Sequence, residues 1–259
     1  MFDKGTGTPV IVVQALQGRW EWTAPLVGEL ARTARTITYS LCGEGGSGRP
    51  ASGHAGIDEY VAQLRDVMDE AGLTSAALCG VSFGGVVAAR FAACYPERVT
   101  RLVIVSSPGP GWQASTVQAG YVARPWRSLP AFTFGAVRRT APEIVSALDT
   151  WGARLGFAVR YGLISIRYPT LPNRMAERVR LMEGLDLAAD CARISAPTLV
   201  LTGEPALDHV VPVESTRRYA ELIPNARYVM VQKTGHQGVL TQPRRFAALV
   251  SDFIHGNHS

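Results

Sequence analysis

One serine, Ser82, stands in the stretch Gly80-Val81-Ser82-Phe83-Gly84, between the short apolar run Ser75 to Cys79 and the small-residue run Val86 to Ala93. The first run suits a buried strand and the second a helix, which puts the serine at their joint. So sharp a strand-to-helix turn holds its central side chain in a tight backbone geometry, and flanking glycines let neighbouring backbone pass without a Cβ clash. A hydroxyl displayed in this way is a candidate nucleophile. It is weak at neutral pH and needs a base, itself oriented by a third group. His236 in QKTGHQGVL and Asp208 in LTGEPALDHVVP each follow a strand-like run. If those strands run parallel to the one before Ser82, all three side chains meet at the carboxyl edge of one sheet. Glu204, four residues ahead of Asp208, is a second candidate for the acid. Ser82 has an alternative role as the N-cap of the helix that follows, and His236 as a structural loop residue. His54, His209, His255 and His258 lack comparable context.

Elements able to position these groups recur along the chain. Strand-like runs lie at Val10 to Gln14, Thr36 to Ser40, Ser75 to Cys79, Leu102 to Ser106, Thr198 to Thr202 and Tyr228 to Val231. Most are continuously apolar, as parallel strands buried on both faces should be. Between them Ile57, Tyr60, Val61, Leu64, Val67 and Met68 repeat at helical spacing, as do Phe246, Leu249, Val250 and Phe253. The alternation predicts an α/β fold with a mostly parallel central sheet covered by helices on both faces. It breaks between about Trp112 and Asp190, where Ile144, Val145, Leu148 and Trp151, then Met175, Val179 and Met182, carry helical patterns without a strand. Residues 112–190 are therefore expected to form a helical cap inserted between the fourth and fifth of these strands, with residues 1–111 and 191–259 forming the core. Loops at the carboxyl ends of parallel strands carry ligand sites, so the insertion is expected to roof the three candidates. A stabilising appendage far from the site is the alternative.

A length of 259 residues fits one large domain, or a core with an insertion. With 47% hydrophobic and 18% charged residues the chain is globular rather than disordered. No apolar run reaches the ~18 residues of a membrane span, and the N-terminal MFDKGTGTP lacks a basic and then apolar leader, so a cytoplasmic location is expected. The net charge of +5 rests on scattered arginines, with Lys4 and Lys233 the only lysines. That pattern argues against a nucleic-acid partner and leaves room for a mild preference for anionic small-molecule substrates. Cys42, Cys79, Cys94 and Cys191 show no C-x-x-C spacing, which points to free thiols rather than disulfides or a metal site. No metal or other cofactor is implied, and the oligomeric state is left open.

Four stretches, in order, now carry a resemblance: CGEGGSG after the second strand, GVSFGG at the turn, PTLVLTGEPALDHVVP around the acid and GHQGVLTQPRRF around the histidine. Over nearly its whole length the chain resembles the α/β-hydrolase fold family, in its small, cap-bearing bacterial branch. The resemblance implies a serine hydrolase acting on a small carboxylic ester or lactone through an acyl-enzyme. Ser82 matches the nucleophile, His236 the general base that later acts as acid, and Asp208 the carboxylate that fixes the histidine tautomer. It further implies an oxyanion hole made by the backbone N–H groups of Phe83 and Leu16. Carbon–carbon bond hydrolysis, thioester hydrolysis, acyl transfer and perhydrolysis use the same triad, and a non-catalytic ligand-binding relative is the alternative from another class.

The chain departs from the family's pattern in places. Where the family has His-Gly, this chain has Gln14-Ala15, which adds a Cβ at a turn where glycine is usual. Ser40 and Cys42 replace the family's frequent aspartate and arginine, so altered loop anchoring is expected. Too little chain precedes the first parallel strand for the usual antiparallel edge pair, so one sheet edge is expected to be short. Trp20 and Trp22, beside the oxyanion loop, are candidates for an acyl pocket or for plain packing. Trp126 and Trp151 of the cap are candidates for setting substrate preference.

Overall fold

The apolar runs become six parallel strands: β2 (Pro9–Val13), β3 (Arg35–Thr38), β4 (Ala76–Val81), β5 (Val99–Val105), β6 (Thr198–Thr202) and β7 (Ala226–Met230). The structure, a computed structural model, describes residues 1–51 and 56–256, so His54 and His258 lie outside the described residues. A further strand, β1 (Phe2–Lys4), pairs antiparallel with β3, setting Phe2 opposite Thr38. The sheet order is β1-β3-β2-β4-β5-β6-β7. In place of an antiparallel pair, this edge carries one strand of three residues. Its composition, with Asp3 and Lys4 beside a lone Phe2, carries no strand periodicity. β5 begins ahead of its apolar run, because Val99 and Arg101 already pair with Ala76 and Ala77.

Alternate residues of each strand face opposite sides of the sheet, and both sides are covered. On one side Val10, Val12, Cys79, Val103 and Leu201 pack with α1 (Ala24–Leu30) and with Phe246 and Val250 of α11 (Pro243–His255). On the other, Ile11, Leu78, Ile104 and Val200 pack with α2 (Asp58–Glu70), α3 (Phe83–Cys94) and α9 (Val213–Leu222). Each such aliphatic side chain contributes about 1.5–3 kcal/mol on burial, which fixes the register of every strand and hence the height of its carboxyl end.

Five helices and no strand lie between β5 and β6 among the described residues: α4 (Thr116–Ala123), α5 (Leu129–Ala147), α6 (Trp151–Arg167), α7 (Pro172–Glu183) and α8 (Leu187–Arg193). Ser115 opens α4 with a capping box to Gln118, and Thr150 and Asp186 cap α6 and α8 through their side-chain oxygens. The insertion is not wholly separate from the core. Leu187 and Cys191 are buried in the core cluster where α8 packs on α3. Of the cysteines, Cys42, Cys79 and Cys191 are buried free thiols and Cys94 is an exposed one. No helix among the described residues is long and apolar enough to cross a membrane.

Candidate active site

β4 ends at Val81 and α3 begins at Phe83, which leaves Ser82 alone at the turn with φ 52° and ψ −119°. A non-glycine residue at positive φ carries about 1–3 kcal/mol of strain and persists only where its surroundings impose it. Here the surroundings are backbone: a Cβ on Gly84 would overlap the Val13 carbonyl, and one on Gly80 would overlap the Gly84 carbonyl. Helix α3 is thereby drawn onto β2 and β4, and the chain has no gentler way to turn. The Ser82 N–H donates to the Val105 carbonyl at 2.8 Å, and the Gly85 N–H donates to the Ser82 carbonyl at 2.9 Å. The Ser82 side chain makes no capping hydrogen bond, so the N-cap role lacks its contact. Phe83, as the first residue of α3, has an N–H without an intrahelical acceptor, at the positive end of the helix dipole.

His236 follows β7 and Asp208 follows β6. His236 Nδ1 lies 3.4 Å from Asp208 Oδ2, while Asp208 Oδ1 accepts the Val210 and Val211 N–H groups, each at 3.0 Å. Glu204 takes a different partner: its Oε1 accepts the Lys233 N–H at 2.7 Å and so braces the histidine loop, where Lys233 sits at φ 61°. Burial opposes a charged imidazole, but the charge and hydrogen bond of Asp208, with a smaller contribution from Glu143, outweigh it. The His236 pKa therefore lies above the ordinary histidine value. Ser82 and His236 share one cavity of about 30 Å³ with Ala15, Gln17, Trp22, Thr23, Val81, Gln237, Val239 and Leu240. That volume suits a water molecule rather than an ester.

The loop between β2 and α1 supplies the other wall. Ser82, Ser106 and Lys233 are the non-glycine residues at positive φ among those described, so Ala15 lies outside the left-handed region and its Cβ brings no strain. Gly18, at φ 76°, closes the turn by donating its N–H to the Ala15 carbonyl at 2.9 Å. Gln14 is buried with both ends of its amide engaged: Nε2 donates to Thr38 Oγ1 at 2.5 Å, and Oε1 accepts the Thr23 hydroxyl at 2.6 Å. The Leu16 carbonyl accepts Arg178 Nη1 at 2.7 Å. Arg178, from α7, is fully buried and pairs with Glu44 Oε1 at 2.8 Å. Burial lifts the Glu44 pKa above the ordinary carboxylate value, with Arg178 opposing the shift. The altered anchoring expected at Ser40 and Cys42 comes from Gln63, which donates to the Ser40 carbonyl at 3.0 Å and accepts the Cys42 N–H at 2.8 Å.

The tryptophans separate. Trp22 lines the cavity, donates its indole N–H to the Tyr168 carbonyl at 3.2 Å and meets Tyr161 of α6 edge-on at 5.1 Å. Trp20 instead lies against Phe2 at the sheet edge, 4.8 Å between ring centroids. Trp126 and Trp151 are 59% and 82% exposed on the outer side of the cap, and the structure does not bring them to the cavity. The inward side of α6 is taken by partly buried Phe157 and Tyr161, while Trp151, at the helix start, meets Arg154 5.4 Å from its ring centroid.

The cap grips the loops at the carboxyl edge. Besides Arg178 and the Trp22 contacts, Gln118 Nε2 donates to the Val210 carbonyl at 3.1 Å. Glu143 of α5 is buried against the histidine loop, its Oε2 accepting the Gln237 N–H at 2.8 Å and its Oε1 the Thr241 hydroxyl at 3.2 Å. Thr241 ends the short helix α10 (Gly238–Thr241). Arg178 and Glu143 carry no sequence signal, because charged residues on cap helices read as a solvated face.

A family model described as the alpha/beta hydrolase fold matches residues 8–243, and the chain belongs to that family. It is a hydrolase of that fold. It is 28% identical to the 2-hydroxy-6-oxo-2,4-heptadienoate hydrolase of Pseudomonas putida, over 98% of this chain and 91% of the relative. It is 29% identical to a 2-hydroxymuconate semialdehyde hydrolase from a Pseudomonas species, over 98% and 89% of the two chains. Among solved structures, the enol-lactonase of Burkholderia xenovorans shares the fold with a TM-score of 0.81 at 20% identity, over 98% of this chain and 95% of that one.

Proposed function

We propose that the chain hydrolyses a small carboxylic ester or lactone through an acyl-enzyme formed on Ser82. The observation that carries this reading is the placement of Ser82, strained at the head of α3, in one cavity with a His236 whose other ring nitrogen faces a buried carboxylate. His236 takes the serine proton as Oγ attacks the acyl carbon. Asp208 holds the Nδ1–H tautomer and steadies the imidazolium, and the proton then passes to the leaving group. The N–H groups of Phe83 and Leu16 receive the developing oxyanion, and water attacks the acyl-enzyme by the same steps in reverse. The substrate is a small molecule, and no cofactor takes part in this scheme.

A second reading follows from the relatives' names. 2-Hydroxy-6-oxo-2,4-heptadienoate has no ester bond, so hydrolysis at its oxo carbon breaks a carbon–carbon bond, chemistry the same triad can perform. The first reading is kept because it needs no partner for a substrate carboxylate, and the residues that line the cavity at Ser82 include no lysine or arginine. A hydrolysis screen over p-nitrophenyl esters of graded chain length, small lactones, thioesters and a 1,5-diketone acid tests the choice. The best kcat/KM is expected on a neutral ester or lactone. Turnover confined to the oxo acid would replace the first reading with the second.

A further inference from the structure

One carboxylate of the cap reaches the core beside the histidine. Glu143 lies on α5 and is 1% exposed. Its Oε2 accepts the Gln237 N–H at 2.8 Å and its Oε1 accepts the Thr241 hydroxyl at 3.2 Å. The residue after His236 and the end of α10 are therefore tied to a single side chain that arrives from the insertion. The histidine loop is shaped to admit it: a Cβ on Gly235 would meet the Leu207 carbonyl on one side and lie 2.9 Å from Glu143 Oε2 on the other. A buried carboxylate is costly unless donors satisfy it, and here each oxygen has one, from Gln237 beside the histidine and from Thr241 of α10.

We propose that Glu143 is a cap-borne positioning residue, whose carboxylate clamps the loop at Gln237 and Thr241 so that His236 stands in register with Ser82. This role rests on the triad reading of Ser82, Asp208 and His236. Burial pushes the Glu143 pKa above the ordinary carboxylate value, with the Gln237 N–H and His236 opposing; in its ionised form it gives the imidazole a second anionic neighbour, which counts most when His236 is charged during acyl transfer. The charged groups that face the imidazole are Asp208, from the loop after β6, and Glu143, from α5. Glu204 is occupied by the Lys233 N–H, and the Lys233 ammonium lies 3.8 Å from Asp149.

The test compares wild type, Glu143→Gln and Glu143→Ala on p-nitrophenyl acetate, each well below its own Tm, with kcat, KM and the pH profile of kcat/KM recorded. Glutamine keeps an acceptor for the Gln237 N–H but removes the charge. Its kcat is expected to stay within a few-fold of wild type, while the acid limb of kcat/KM moves to lower pH. Alanine frees the loop, and a loss in kcat of about 10–100-fold with little change in KM is expected. If alanine does not fold, the acid limb of the glutamine variant decides alone. Wild-type kcat and an unmoved acid limb in both variants, with only Tm lowered, would overturn the role and leave Glu143 a structural anchor. Fluorophosphonate labelling of the wild type separates this failure from a deeper one, because an unlabelled Ser82 would remove the triad reading itself.

Discussion

Asp208 and Glu204 share one loop, and their partners divide the work: Asp208 faces the His236 ring, whereas Glu204 holds the backbone at Lys233. On the triad reading, Asp208→Asn presents the wrong tautomer to the serine, and steady-state assays should show a loss of about 10⁴-fold in kcat. Glu204→Gln should cost stability more than rate, which thermal melts and the same assays distinguish. The pH dependence follows from the sign of the histidine shift. The base must be neutral to act, and its pKa lies above the ordinary 6.5. Activity should therefore fall as pH drops through an acid limb that lies above 6.5, and Asp208→Asn should move that limb down. Ser82, Asp208 and His236 were legible as candidates because each lies in a local pattern: glycines around the serine, and a strand run before the other two. Glu143 and Arg178 were not, because their burial is decided by partners about a hundred residues away or more.

At the scale of elements, the loop from Gln14 to Gly18 departs most from the family pattern, yet its bonds close. Gln14 is satisfied by Thr38 and Thr23, Ala15 avoids positive φ, and the Leu16 carbonyl is held by a buried arginine. Replacing Gln14-Ala15 with His-Gly should then leave kcat within a few-fold. A tenfold or larger gain would mean that an oxyanion donor is missing from the native loop, since one donor supplies about 10²–10³ in kcat. The parallel strands were readable because burial on both faces makes them continuously apolar. β1 was not, since a three-residue edge strand with one apolar side chain has no period to detect. Its pairing is set by β3 rather than by its own composition.

For the whole molecule, the insertion was visible as a stretch of helical pattern without strands, but its inward and outward sides were not. α6 carries apolar residues all round, with Trp151, Leu155, Leu163 and Ile166 more than 60% exposed, so aromatic character alone said nothing about which side met the site. Trp22 stands on the cavity wall, whereas Trp126 and Trp151 are exposed on the cap. Trp22→Ala should shift relative kcat/KM across a graded ester series, one methylene in such a pocket being worth about 1–3 kcal/mol. Trp126→Ala and Trp151→Ala should leave the ranking as it is. The central claim, an acyl-enzyme on Ser82, is tested most directly by the intact mass of the protein after exposure to an alkyl fluorophosphonate. One adduct per chain, mapped to Ser82 and absent from Ser82→Ala, is expected, with a loss of turnover on the order of 10⁶-fold in that variant. An unmodified wild-type mass, or ester hydrolysis that survives Ser82→Ala, would contradict it.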